Sequence, residues 1–227
     1  MKTTFKTLLV VSIVILGYMC VMSIVTPIRF DEERGVREKV VIRKLMDIRK
    51  AEIEFKNQNN RYTASGDTLI NFVKTAKVPL VLKEGMLTDE QLKNGLTEEK
   101  AAKIVRSGNK KAIAENGLEG FRRDTSYISV FESLFANDYT LDNINDMIII
   151  PYSDGKQFEF ATIMFKNEAS GIIIPLFESK ASYDSYLSDL NRQELVNLKD
   201  TRVKLGKYPG LQVGSIEEPN NNAGNWE

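Results

Sequence analysis

The chain contains no histidine. That absence removes the commonest general base, the commonest metal ligand and the one side chain that titrates near neutrality unperturbed. Ser-His-Asp and Cys-His catalysis are therefore excluded. The single cysteine, Cys20, lies inside an apolar run. The rest of the chain thus has no disulfide, no thiolate zinc site and no catalytic thiol. Neither sign of charge is in excess, since Lys plus Arg and Asp plus Glu both number 31 among 227 residues. Phosphate backbones call for a basic excess on one face, so nucleic acid is not an expected partner. Gly117 and Gly120 stand alone, so no Gly-rich phosphate loop is legible either. Catalysis would fall to carboxylates, a Ser-Lys pair or a bound cofactor. The expectation is a non-enzymatic protein without cofactor or metal.

What is present begins at the N-terminus. Between Lys6 and Arg29 there is no charge, and residues 8–28 read LLVVSIVILGYMCVMSIVTPI. As a helix this run would rise about 31 Å, close to the ~30 Å hydrocarbon core of a bilayer. It is longer than a signal-peptide core, and VMSIVTP is a poor peptidase site. We therefore expect an uncleaved single-pass anchor over residues 1–28, with the bilayer as a partner. The short tail with Lys2 and Lys6 favours a cytoplasmic N-terminus, although Arg29, Arg34 and Arg37 crowd the other flank. The expected location is a bacterial inner membrane, with residues beyond 28 on the periplasmic side.

Pro27 predicts a kink or break at the end of the span, and Gly35 a hinge. Residues 29–60 then read as an amphipathic stalk helix. Val41, Leu45, Ile48 and Phe55 form one apolar stripe, at steps of four, three and seven. Two readings of the stripe stay open: docking on the protein's own sheet, or lateral packing against other copies.

NQNNR ends the helix, and Ser65-Gly66-Asp67 opens a short helix carrying Leu69, Ile70, Phe72 and Val73. VPLVL (78–82) predicts a short edge strand, because Pro79 cannot donate to a ladder. Residues 88–117 predict a weakly packed helical insert, with N-caps at Thr88 and Thr97. Beyond Arg122 the texture becomes β-like. TSYISVF alternates; MIIIPYSDGKQFEFATIMF reads as strand, turn, strand; IIIPLFES reads as a third strand after Asn167–Gly171. Residues 181–200 predict one helix and 207–216 a last strand. The fold expected over 61–217 is α+β, a small antiparallel sheet covering the stalk. The polar end 218–227 contains the only tryptophan, Trp226, in a solvated tail or an anchor folded back on the sheet.

Ile48, Arg49, Ala51, Phe55, Lys56, Arg61, Tyr62 and Thr63, with Leu69 following, fit the pattern I-R-x-A-x-x-x-[F/Y]-K-x-x-x-x-[R/K]-Y-[T/P]. This layout over residues 1–74 resembles the type IV pilins and, most closely, the major pseudopilins of type II secretion. The resemblance implies a membrane helix running straight into the stalk, with Tyr62 folding the turn back onto it. It also implies a pseudopilin-like subunit of an envelope assembly or secretion apparatus, packing against itself or other envelope subunits through Val41, Leu45, Ile48, Phe55 and Tyr62. The chain departs from the family in having no Gly-Phe processing site and no acidic residue five positions into the apolar run. Its last residues are similar to those of a group of uncharacterised envelope proteins. The alternative reading is a membrane-tethered module in which the 122–216 sheet binds a peptide or glycan.

Three lesser constellations have bland counterparts. Asp138, Asp142 and Asp146 would share one face of a helix, a cation site or simply a solvated acidic face; the spacing is not that of an EF-hand. Ser126, Ser129 or Ser153 with Lys156 or Lys166 would be a Ser-Lys nucleophile, or turn residues. Glu132 and Glu159 would be an acid/base pair or surface charge.

Overall fold

The computed structural model describes residues 2–166, 168 and 171–227; among these, the side chains of 2–3, 80–83 and 123–125 are left undescribed. Helix α1 (Lys2–Asn59) runs unbroken for 58 residues through both Pro27 and Gly35. The expected break and hinge are therefore absent. Proline forfeits only its own bond to the Ser23 carbonyl, while helical turns on either side keep theirs. At Gly35 the helix is continuous, with open space around a Cβ position, so no neighbour forces a bend there. Asn60 then takes φ 57°, and its N–H closes the helix on the Lys56 carbonyl at 2.7 Å.

α1 leads two lives. Residues 4–24 are exposed throughout, and this is the one helix long and apolar enough to cross a membrane among the described residues. That is compatible with a single-pass anchor. From Phe30 onward one face is buried, with Val41, Leu45, Ile48 and Ala51 completely covered.

The chain divides into two compact units, Met1–Phe72 with Tyr139–Glu227, and Val73–Asp138, where one domain with an insert was expected. In the first, the turn after α1 leads into α2 (Gly66–Thr75), whose Phe72 ring meets Phe55 edge-on at 5.0 Å.

The second unit is larger than the predicted insert. Strand β1 (Lys77–Glu84) opens it, helices α3 (Asp89–Lys93), α4 (Glu98–Arg106) and α5 (Lys110–Glu115) follow, and β2 (Arg122–Ser129) returns antiparallel to β1, from Lys77 opposite Ser129 to Glu84 opposite Arg122. Thr88 and Thr97 cap α3 and α4 as expected. Ala101, Leu118 and Phe121 form a small core, with Leu96, Ile104, Val105 and Ile113 packed on it. Helix α6 (Val130–Leu134) ends the unit, opened by a Ser129–Glu132 capping box.

Back in the first unit, MIII is not the predicted strand. Ile144–Ile148 forms a 3₁₀ helix burying Ile144, Met147 and Ile148, and Ile149 keeps one lone bridge, to Gln157. A short apolar run fits a buried helical turn as well as a strand. Strands β3 (Glu159–Lys166) and β4 (Ile173–Ser182) pair antiparallel. The predicted 181–200 helix begins late, because β4 extends to Ser182. A single turn, α7 (Tyr183–Tyr186), comes first, and α8 (Arg192–Lys204) starts where Asn191 caps it. Strand β5 (Gly210–Gly214) pairs with β4, giving the sheet order β3-β4-β5.

Candidate functional site

The five residues singled out for assembly are all buried in the first unit. Val41, Leu45 and Ile48 have no exposed surface, and Phe55 and Tyr62 keep 7% each. α1 meets β4, β5 and the 3₁₀ helix, so the chain's own sheet occupies the stripe. Burying one such side chain is worth about 1.5–3 kcal/mol. The apolar surface that α1 leaves open is instead residues 4–24, plus Val36, Val40, Met46 and Ile53 on its far side.

The C-terminal residues form a strap across this helix. Gly224 bridges Val213 of β5. The Gly214 N–H donates to the Ala223 carbonyl at 3.0 Å, and the Asn225 N–H donates to the Gln212 carbonyl at 3.0 Å. Asn225 also accepts from the Gln212 N–H and donates to the Gly210 carbonyl. The strap therefore closes the β5 edge, a row of backbone groups that would otherwise lie open. It is tied to α1 as well. Arg49 Nη1 contacts Glu227 Oε1 at 2.6 Å and donates to the Asn222 carbonyl at 3.3 Å, while Asn222 Nδ2 donates to the Tyr62 hydroxyl at 3.0 Å. Tyr62 rests on Phe177, ring centroids 4.7 Å apart. Of the two readings of the tail, the folded-back one holds. Composition hid the strap, since its asparagines bond through backbone and amide; the stray Trp226 was the only sign of it.

Two charged groups of α1 are enclosed. Glu52 is fully buried. Its Oε2 accepts the Thr63 N–H at 3.1 Å, and its Oε1 has no partner. Burial pushes its carboxyl up to about 8, against the weaker pull of the Thr63 bond. Asp47, also buried, accepts from the Tyr139 hydroxyl at 3.0 Å and from Lys50 at 3.1 Å. Nearer the N-terminus of α1, Arg37 grips Asp189 with both terminal nitrogens, at 2.5 and 2.7 Å, and donates to the Tyr186 carbonyl at 2.8 Å. The Arg37 bond holds the Asp189 carboxyl below its usual range.

A groove of about 580 Å³ lies beside β5, lined by residues that include Glu178, Lys180, Lys207, Tyr208, Gln212 and Glu217. Lys180 sits 5.3 Å from the Tyr208 ring centroid. Burial pushes the Tyr208 hydroxyl up to about 12, so it stays a hydrogen-bond donor at any physiological pH.

The lesser constellations find structural roles. Ser153 is buried, donating to the Ile150 carbonyl at 2.5 Å to staple its turn. Ser129 and Glu132 form the α6 cap. Asp138, Asp142 and Asp146 do not share a helix: Asp138 belongs to the second unit, Asp142 lies in a turn, and Asp146 sits in the 3₁₀ helix. Among the described residues, no three or more His, Cys, Asp or Glu gather where an ion would need them.

Comparisons with known protein families, with curated proteins and with solved structures return no match.

Proposed function

We propose that the protein is a membrane-anchored, non-enzymatic, pseudopilin-like subunit of a bacterial envelope assembly, with its soluble units on the periplasmic side. The supporting observation is the unbroken α1. Its first half is uncovered and apolar, and its second half is the centre of the first unit. A helix of this kind transmits position between bilayer and soluble domain without an intervening joint. Because the 41–62 stripe is occupied internally, lateral contacts fall to residues 4–24. Small residues allow close approach of such helices, and Gly17 has open space around it.

The native Cys20 is exposed on this segment, and single cysteines placed in turn from Gly17 to Ile24 extend the test. Oxidative crosslinking in native membranes is expected to give covalent homodimers or defined heterodimers at positions following a helical period. Uniform absence of crosslinks along the scan would refute lateral packing.

The β5 groove favours one second reading, a tethered module binding a glycan or peptide. Its amides and carboxylates with an aromatic ring suit such a ligand. Binding of a glycan or peptide array by the full chain, lost on Tyr208→Ala, would establish it; crosslinking at Cys20 would be indifferent to that change.

A further inference from the structure

The two edges of the β3-β4-β5 sheet are treated differently. The strap closes the β5 edge. β3 is the outermost strand on the other side, so one row of its backbone N–H and C=O groups has no ladder. Among the described residues, the isolated bridge from Ile149 reaches Gln157, two residues short of the strand. Chains usually blunt such an edge with lysine, proline or a bulge. The centre of β3 reads ATIMF, residues 161–165, with neither lysine nor proline, and its register with β4 is continuous. Its charges, Glu159 and Lys166, stand at the two ends. Ile163 and Met164 are 46% and 58% exposed.

Beside this edge lies a cavity of about 310 Å³, lined by residues that include Arg61, Tyr62, Ile163, Met164, Pro175 and Leu176. One wall is fixed in place, since the buried Tyr62 is held by the Phe177 ring and by the Asn222 amide. Arg61 is exposed and, among the described residues, joins no ion pair. A guanidinium without an acid thus borders an aliphatic pocket and an open strand edge.

An extended chain adds to such an edge through main-chain bonds, with its side chains in adjoining pockets. Successive side chains of a strand point to opposite faces, and those on one face stand roughly 6.6–6.8 Å apart. An acidic side chain would therefore lie well away from the aliphatic group that fills the pocket. A C-terminal residue carries side chain and carboxylate on one Cα, and a carboxylate suits the fork of a guanidinium. We propose that the β3 edge and the Arg61 pocket bind the extended C-terminus of another protein, with an aliphatic last residue in the pocket and its carboxylate on Arg61. This chain's own end does not serve, because Arg49 holds Glu227 in the strap. The site is separate from the β5 groove and does not depend on the membrane span.

The test pans the full chain, in mild detergent, against a library of short peptides displayed with free, randomised C-termini. Selected sequences should end in Val, Ile or Leu. Their dye-labelled synthetic forms should bind in an anisotropy titration. Amidating the C-terminus, or Arg61→Ala, should each weaken binding about tenfold, the loss of one charge-assisted contact. Met164→Lys, at an exposed position of the edge, should weaken it as well, and Tyr208→Ala should leave it unchanged. A selection without an aliphatic last residue, or equal binding by the amidated peptide, overturns the proposal. Loss of binding on Tyr208→Ala would place the peptide in the β5 groove and overturn this site. Dimers crosslinked through Met164→Cys in a Cys20→Ser background would show that a second copy takes the edge instead.

Discussion

Glu52→Gln isolates the energetic consequence of a carboxyl sealed inside the α1 core. In the folded chain the group titrates at about 8, against 4.5 for an exposed glutamate. Between those values the unfolded chain binds fewer protons than the folded one. Stability is therefore fully retained below pH ~4.5 and falls as pH rises, by about 1.4 kcal/mol per pH unit while the difference is one proton. Across the window the loss is on the order of 5 kcal/mol, levelling above pH ~8. The glutamine keeps an oxygen for the Thr63 N–H and adds an amide that the site does not satisfy. That cost, about 1–3 kcal/mol, does not vary with pH. The assay is urea unfolding of the full chain in mild detergent at half-unit steps from pH 5 to 9, followed by Trp226, the only tryptophan. The difference, variant minus parent, should rise steadily in the variant's favour from pH 5 to 8. Taking the difference cancels every other titrating group. A flat difference across that range would show that Glu52 is hydrated or ion-paired, and the reasoning would fail.

Other expectations follow from the same packing. At Gly214, φ is +73° and an added Cβ would lie 2.2 Å from the Phe177 carbonyl oxygen, whereas Gly155, at φ +85°, has nothing within 4 Å. Gly214→Ala should lower the urea midpoint far more than Gly155→Ala, whose cost is about 1 kcal/mol; equal effects would mean that β4 yields freely beside β5. Arg49→Ala removes both ties to the strap, so Trp226 emission should shift red and carboxypeptidase should trim the end faster. An unchanged spectrum and digestion rate would mean that the β5 bonds and the Asn222–Tyr62 contact hold the strap without Arg49. In the crosslinking scan, Phe55→Ala should leave the Cys20 product intact, because that ring is spent on Phe72 within the same chain.

Local signals carried a good part of the architecture. The apolar run, the stripe from Val41 to Phe55, the asparagine stop, and the caps at Thr88, Thr97 and the 65–67 turn were legible because each depends on neighbours within four residues. The SDG turn at 153–155 was legible too, although the strand before it was not. Met147 to Ile150 is apolar at every position, so periodicity could not choose between a strand and a turn of 3₁₀ helix; only the space beneath α1 decided it. The one-helix expectation for 181–200 failed for the same reason, since pairing with β5 carries β4 as far as Ser182.

The sequence alone determined that this chain has a helix fit for a bilayer, no histidine chemistry and a stalk with one greasy face. Those are properties of residue type and short-range order. Only the tertiary structure decided what covers that face, that the final residues close the sheet over Arg49 and Tyr62, that Glu52 is shut away from water, and that Arg37 clasps Asp189 just ahead of α8. Each of these joins residues far apart in the chain, and such pairings are chosen by the summed burial of a whole core, which no local pattern encodes.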